Sequence, residues 1–171
     1  MGRKNQLVGH IDLGCIWAYG NSTVAPWSEQ FYIGGANSIR AFTLRSIGPG
    51  AYYPTSSTSS YLDQTGDVKF LANLEYRPRL FGNLYGAIFL DAGNVWTLRD
   101  RSDHPGGQLK LKNLPQQMAL GTGVGLRYNL DFFVIRVDWG IGLHLPYKSG
   151  FYNLPNFGSS HSLHFAIGMP F

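Results

Sequence analysis

Apolar and polar residues alternate with a period of two in six segments of the chain. In residues 131–145, for example, Arg136 and Asp138 alternate with apolar neighbours. A period of two places successive side chains on opposite faces of a strand, so each segment is predicted to be a strand with one apolar face. The six predicted strands span residues 7–19, 67–77, 83–95, 117–129, 131–145 and 161–171.

The predicted strands are long enough to cross a bilayer. A soluble antiparallel sandwich also alternates, but its strands usually have about five or six residues. A membrane-spanning strand needs about 9–11 residues at a tilt, and aromatic residues near the strand ends are typical of the interfacial girdles of a barrel. The pattern therefore favours an all-β, antiparallel transmembrane β-barrel over a sandwich.

Long and short connections alternate along the chain. Outer-membrane barrels have short periplasmic turns and longer external loops. If the chain ends in the periplasm, the three long connections are predicted to be extracellular loops: 20–66, 96–116 and 146–160. Single-chain barrels begin at about eight strands, so six predicted strands imply further N-terminal strands or strands from another chain.

Composition agrees with a membrane barrel. Aromatic residues make up 15% of the chain and charged residues 14%, whereas a soluble domain has about 25% charged residues. No stretch of 18 apolar residues occurs, so no transmembrane helix is predicted. The net charge of +4 is spread along the chain, which disfavours nucleic-acid binding. Cys15 is the single cysteine, which excludes an internal disulfide.

The chain begins without a signal peptide, and we expect that its natural N-terminal part is missing.

The long connection 20–66 is the most informative segment. A loop of this length in a compact domain is usually functional or disordered, and this one combines apolar residues with Arg40. A guanidinium buried inside a barrel needs a carboxylate partner. By strand parity, the candidate partners facing the lumen are Asp91, Glu75 and Asp138.

Three motifs in this order resemble the BamA/TamA superfamily of outer-membrane protein assembly factors, also called the bacterial surface antigen family. Residues 38–42 resemble its (V/I)RG(F/Y) loop motif, 89–96 its F-x-D-x-G-x-(V/I)-W strand, and 121–127 the following glycine-rich strand. The loop motif consists of Ser38, Ile39, Arg40, Ala41 and Phe42. Residues Asp63–Asp67, followed by 73–77, are most similar to TamA-like members from Bacteroidetes.

The resemblance implies about six C-terminal strands of a barrel of about 16 strands, embedded in the bacterial outer membrane. It implies that Arg40 pairs with Asp91, with Glu75 as a second acidic position, and thereby locks the loop in the lumen. The implied function is non-enzymatic insertion or translocation of client outer-membrane or surface proteins through a lateral seam. No cofactor is expected; the expected partners are the lipid bilayer, lipopolysaccharide and client proteins, with self-association as a way to complete the barrel.

One residue of the loop motif departs from the family pattern. Ala41 stands where the family usually has glycine, which permits positive φ or close backbone approach, so the loop tip is expected to differ slightly. The lumen-facing glycines Gly121, Gly123 and Gly125 are expected to make room for the docked loop. A buried ion pair can stabilise a fold or specify one arrangement of the chain. The sequence does not decide which of these two roles the pairing of Arg40 with Asp91 has.

The last predicted strand carries Phe165, Ile167 and Phe171 on its apolar face. The resemblance implies that a terminal aromatic residue is a recognition signal for the assembly machinery; a lipid-facing anchor is the alternative. Pro170 has no N–H to donate to a strand ladder, so its position near the end of this strand fits a seam or a frayed end. A weakly paired edge is what a lateral seam needs, because a client strand can then pair with it.

Enzyme-like features do not form a consistent site. The glycines of 121–125 are followed by no helix, unlike those of a nucleotide-binding loop. His161, Ser162, His164, Asp138 and His144 match no known order of a hydrolase triad, and His10 with Asp12 is too small a set for a metal site. The chain is therefore not predicted to be an enzyme; the alternative functions are a secretion pore for a dedicated partner, a passive porin or structural barrel, and a barrel attached to a lipase.

Overall fold

The computed structural model describes residues 5–54, 64–150, 152–153 and 160–171. Their strands are β1 (Asn5–Cys15), β2 (Val68–Phe81), β3 (Leu84–Trp96), β4 (Ala119–Asn129), β5 (Val134–His144) and β6 (His161–Ile167). Between β3 and β4, a 3₁₀ turn (Leu111–Asn113) leads into the short helix α1 (Leu114–Gln117). In this part of the chain, no helix has the length and apolar character needed to cross a membrane.

All six strands belong to one antiparallel sheet. Each strand pairs with the next one along the chain, which gives the order β1-β2-β3-β4-β5-β6. Two-residue and four-residue turns connect β2 to β3 and β4 to β5, and long segments form the other connections. The predicted all-β, six-stranded antiparallel architecture is therefore confirmed, with β1 and β6 at the two edges of the sheet.

The two faces of the sheet have opposite chemistry. The outer face, which carries Leu7, Leu163 and Phe165, leaves these side chains 69–71% exposed. The inner face buries carboxylates completely, including Glu75 and Asp91 at 0% exposure. A soluble sandwich buries its apolar face against a second sheet, so apolar outside and charged inside is the arrangement of a barrel wall in lipid.

The connection between β1 and β2 is here called the β1–β2 loop (residues 16–67), and its described residues 30–50 pack onto the inner face. Three of its apolar residues, Ile33, Ile39 and Ile47, are fully buried. They form the core together with residues on the sheet and its connections: Leu71, Val95, Ala119 and Leu145. The loop therefore contributes one half of the hydrophobic core, and the inner face of the sheet contributes much of the other.

Several predicted strand boundaries were wrong. The first strand ends at Cys15 instead of Tyr19, and β2 continues to Phe81 instead of ending at Arg77. Helix α1 occupies residues through Gln117, so the fourth strand starts later than predicted. The fifth strand starts only at Val134 because residues 130–133 form a turn, in which Asp131 has φ 65°.

The prediction that Phe171 lies on the apolar outer face was wrong. Strand β6 ends at Ile167, and Gly168 then adopts φ +99°. The chain turns inward, and the Phe171 ring stacks on His10 of β1 with ring centroids 5.2 Å apart. A residue with positive φ breaks the two-residue periodicity, so parity no longer applies beyond it. Phe165 and Ile167 do lie on the outer face, as predicted.

Candidate functional site: the docked loop

Arg40 of the β1–β2 loop is bound to Asp91 of β3 by three hydrogen bonds. Its backbone N–H and Nε donate to Asp91 Oδ2 at 3.0 and 2.9 Å, and its Nη2 donates to Oδ1 at 2.8 Å. Both residues are fully buried. The planar guanidinium matches a carboxylate in two-point geometry, which fixes the direction as well as the distance of the contact. The side chain and the backbone of Arg40 thus bind the same carboxylate, that of Asp91, and hold the loop at β3.

Glu75 of β2 is the second carboxylate at Arg40. Its Oε2 accepts from Arg40 Nη1 and, at 3.1 Å, from Arg127 Nη2, and its Oε1 accepts from Arg77 Nε at 2.6 Å. The Arg40 guanidinium carbon also lies 3.6 Å from the centroid of the Phe89 ring. Cation–π attraction is strongest where the cation is desolvated, so Phe89 completes a site that surrounds Arg40.

Asp138, the third candidate partner of Arg40, has different partners. Its carboxylate pairs with Arg127 Nη2 at 2.6 Å and with Arg136 Nη1 at 2.9 Å. Arg127 and Arg136 are directly opposite each other on β4 and β5, where like charges would repel. Asp138 lies between them and offsets this repulsion.

A second arginine reaches the loop from the sheet. Arg136 Nη1 donates to the backbone carbonyl of Ala36 at 2.9 Å, and its Nη2 donates to Asn37 Oδ1. Asn73 Nδ2 donates to the carbonyl of Ser38 at 2.9 Å. These bonds fix the segment that immediately precedes Arg40. Strand parity places Arg136 and Asn73 on the inner face, but it does not predict that they contact the loop.

Strand β6 also binds the loop. Ser162 Oγ donates to the carbonyl oxygen of Arg40 at 2.7 Å, and His164 Nε2 donates to the same oxygen at 2.9 Å. In the sequence, Ser162 and His164 stand out only among the residues that match no known order of a hydrolase triad. Their actual partner is a backbone carbonyl about 120 positions earlier in the chain, for which a single sequence gives no local signal.

Of the other residues of the loop motif, Ile39, Ala41 and Phe42 pack into the core, and Ser38 is half-buried. Ser38 Oγ accepts from the N–H of Gly34 at 3.2 Å, and the N–H of Phe42 donates to the carbonyl of Ile39 at 3.1 Å in a tight turn. Ala41 is buried, and it is not among the described residues with positive φ. The turn therefore accepts an alanine at the position where the family usually has glycine.

Glycines on the inner face make room for different neighbours. A Cβ on Gly121 would collide with Ala41, and one on Gly123 would lie 2.5 Å from the Phe89 ring. At Gly125 it would lie 2.6 Å from Arg127 Nη1. Of the three predicted glycines, only Gly121 therefore contacts the loop directly. Gly140, which was not predicted, does so too: its Cβ would lie 2.8 Å from Ala41 Cα and would collide with the Arg40 carbonyl.

The described residues offer no metal site: no group of three or more His, Cys, Asp or Glu among them is arranged to hold an ion. The ionic groups pair with one another in fixed geometry instead. These ion pairs and hydrogen bonds fix the β1–β2 loop to strands β2, β3, β5 and β6 at once. Asp63, one of the residues that suggested the TamA-like subgroup, lies outside the described residues.

An antiparallel sheet with an apolar outer face, a charged inner face and a loop fixed inside it defines the chain as part of a membrane β-barrel. A family model described as Omp85 superfamily domain matches residues 2–171. The chain belongs to the Omp85 superfamily. This membership places it in an outer membrane.

Known relatives and a solved structure agree with this assignment. Sorting and assembly machinery component 50 homolog A from Xenopus laevis is 32% identical over 103 residues, 58% of this chain and 21% of that protein. Homolog B from the same species is 29% identical over 126 residues, 72% of this chain and 26% of that protein. The crystal structure of BamA from Haemophilus ducreyi lacking POTRA domains 1–3 has a TM-score of 0.63 at 19% identity, and the match covers 96% of this chain and 32% of that one. The chain thus spans only about a fifth to a third of the length of these proteins.

Proposed function

We propose that this chain is part of a barrel that inserts or translocates other outer-membrane or surface proteins, without catalysing a chemical reaction. Membership of the Omp85 superfamily supports this proposal, as do the relatives described as sorting and assembly machinery components. The proposed location is the bacterial outer membrane, with the three long connections on the outer side. Client proteins, lipid and lipopolysaccharide are the proposed partners, and self-association is a proposed way to complete the barrel.

The proposed mechanism uses strand β6 as one side of a lateral seam. Strand β6 has only one neighbour among the described strands, so its free edge can accept a client strand by β-augmentation. The β1–β2 loop holds β6 from inside through the Arg40 carbonyl, which accepts hydrogen bonds from Ser162 and His164. In this mechanism the docked loop keeps the seam strand in position while a client strand is added.

The link from Asp91 through Arg40 to β6 is the observation that carries the proposal. Arg40 contacts Asp91 on the inner face and also Ser162 on the edge strand, so it joins the docked loop to the proposed seam. The alternative is a passive structural barrel, in which the contacts of Arg40 serve stability only, and the charge exchange distinguishes the two. The likeness to TamA-like proteins from Bacteroidetes stays a prediction.

The test is a charge exchange in the full-length protein in its membrane. Arg40→Asp and Asp91→Arg are made singly and together, and Arg45→Asp in the same loop is the control, because Arg45 lies over Trp27 and Tyr32 outside the ionic network. Folding is measured by heat-modifiable gel mobility, and client proteins are quantified in the outer membrane.

We expect both single exchanges to lower client levels and the double exchange to restore them in part, with Arg45→Asp close to the parent protein. If the single exchanges shift gel mobility while client levels stay normal, the lock serves stability alone. If neither readout changes, the proposal of a functional lock is wrong.

A further inference from the structure

A groove lies on the outer face of the sheet, where β4 begins and β5 ends. It has a volume of about 570 Å³, which is within the range of about 300–1,000 Å³ for small-molecule sites. Leu120 lines the groove and has the strand parity of Val124 and Leu126, which are exposed on the outer face. His144 lies opposite Leu120 in the strand register and lines the groove as well. The groove is therefore at the rim of the apolar outer face, beside the long connections.

Hydrogen bonds hold the two walls of the groove in place. One wall is helix α1, and the other is formed by residues 146–150. His144 Nε2 donates to the carbonyl of Gln116 at 2.9 Å and thereby ties the end of β5 to the helix. Asn153 Nδ2 donates to the carbonyl of Lys148 at 2.9 Å and holds the opposite wall. A groove whose walls are already fixed loses less conformational entropy when a ligand binds.

The lining of the groove combines apolar side chains with one cation. Pro115, Leu120 and Pro146 contribute apolar surface, and Lys148 contributes the charge. No Asp or Glu is among the described residues of the lining. Lys148 also takes part in none of the ion pairs between described residues. Such a lining is complementary to a molecule with a hydrocarbon part and an anionic group.

The 3₁₀ turn in front of helix α1 combines an exposed leucine with two lysines. Leu111 is 78% exposed, and Lys110 and Lys112 are its neighbours in the sequence. At the headgroup level of an anionic lipid layer, an apolar side chain enters the hydrocarbon boundary while ammonium groups stay with the phosphates. The turn leads directly into the helix that forms one wall of the groove, so both features lie at the same rim.

We propose that the groove binds a phosphorylated lipid of the outer leaflet. One hydrocarbon chain lies against Leu120 and Pro146, and Lys148 donates charge-assisted hydrogen bonds to the phosphate. Lys112 adds to the positive potential around the headgroup. The inference rests on the proposed orientation, in which the long connections are on the outer side of the membrane. Lipopolysaccharide, one of the proposed partners, is a phosphorylated lipid of this kind.

The experiment measures lipid binding to the purified full-length protein in dodecyl maltoside micelles. Native mass spectrometry follows the number of bound lipids as the mole fraction of dioleoyl phosphatidic acid rises. Dioleoyl phosphatidylcholine has the same chains without the net charge, and inorganic phosphate is added as a competitor at constant ionic strength. Lys148→Gln removes the cation of the groove, and Ser149→Trp fills the groove from its rim. Arg79→Gln is the control, because Arg79 is an exposed cation beside the turn between β2 and β3.

We expect phosphatidic acid to bind saturably and at least about fivefold more tightly than phosphatidylcholine, which is the contribution of one lysine near an anionic headgroup. Lys148→Gln should weaken the binding of phosphatidic acid by the same factor, and Arg79→Gln should leave it unchanged. Ser149→Trp should prevent binding, and inorganic phosphate should not displace the lipid. Lys148 and Ser149 are exposed, so we expect both variants to fold, which heat-modifiable gel mobility checks.

Equal affinity for the two lipids, or equal losses in Lys148→Gln and Arg79→Gln, would overturn the phosphate contact. Undiminished binding in Ser149→Trp would show that the chain lies elsewhere, and displacement by inorganic phosphate would overturn the assignment to a lipid. Lipid binding is measured without a client protein. Its failure therefore leaves the proposed assembly function standing, whereas that function fails on client levels in the charge exchange.

Discussion

The guanidinium of Arg40 lies over the ring of Phe89, with 3.6 Å between its central carbon and the ring centroid. Phe89 is 2% exposed and is on the same strand as Asp91, which binds the edge of the same guanidinium. Strand β3 thus presents an aromatic face and a carboxylate to one cation, two residues apart on the inner face. This geometry explains why a lysine would be a poor substitute for Arg40, since an ammonium group cannot bind in two points and stack at once.

Arg40→Lys should therefore lower the free energy of unfolding less than Arg40→Ala does. Truncation to alanine leaves Asp91 and Glu75 buried with fewer partners, which costs about 3–5 kcal/mol in comparable buried pairs. Lysine keeps the charge but loses the two-point contact, so we expect an intermediate loss. Denaturant unfolding of the full-length protein in micelles measures both; a lysine variant as stable as the parent would show that the planar geometry is unimportant.

Phe89→Leu tests the aromatic contact separately from the charge. Leucine keeps most of the apolar volume but removes the ring face, so we expect a loss of about 1–2 kcal/mol in unfolding free energy. Phe81→Leu is the matched control, because Phe81 is 72% exposed at the end of β2. Similar losses in the two variants would contradict a cation–π contribution at Arg40.

Gly140→Ala should disturb the docking of the β1–β2 loop. Its Cβ would lie 2.8 Å from Ala41 Cα and would meet the backbone carbonyl of Arg40, neither of which can rotate away. Overpacking of this kind costs about 1–3 kcal/mol. Gly9→Ala on β1 is the control, since nothing lies within 4 Å of its added Cβ. Protease sensitivity of the β1–β2 loop reports undocking; equal sensitivity in both variants would contradict the model of close backbone contact.

Ser162→Ala and His164→Gln should loosen strand β6. Both side chains donate to the carbonyl of Arg40, and each hydrogen bond contributes about 1 kcal/mol. Amide hydrogen exchange in β6 measures the effect, with faster exchange expected in each variant and the fastest in the pair. Ser46→Ala, which removes an exposed hydroxyl that donates to the carbonyl of Thr43, is the control. Unchanged exchange in β6 of the double variant would show that the loop does not hold this strand.

Much of the fold could be predicted from the sequence because strand periodicity is a local property. Alternation identified all six strands and assigned Leu7, Leu163 and Phe165 to the outer face. It failed where the backbone leaves the period of two: at Asp131, whose φ is 65°, and at Gly168, whose φ is +99°. Such conformations are decided by the local turn, and the sequence pattern does not signal them.

The site was predictable only in part. Strand parity proposed three carboxylates for Arg40, and the structure brings Asp91 and Glu75 to it while Asp138 pairs with Arg127 and Arg136. Parity restricts a side chain to a face, but the position along that face depends on strand register and on the path of the loop. Ser162 and Gly140 were missed for the same reason, since their partner is the backbone of a distant loop.

The sequence by itself determined the strands, their two faces and the presence of a cation in a long loop, because these depend on spacing between near neighbours. Only the tertiary structure decided which carboxylates surround Arg40, which glycines admit the loop, and that Phe171 turns inward to His10. These contacts join residues far apart in the chain. They are fixed by packing and charge pairing across the whole sheet, where each buried group must find its partner in the space that the others leave.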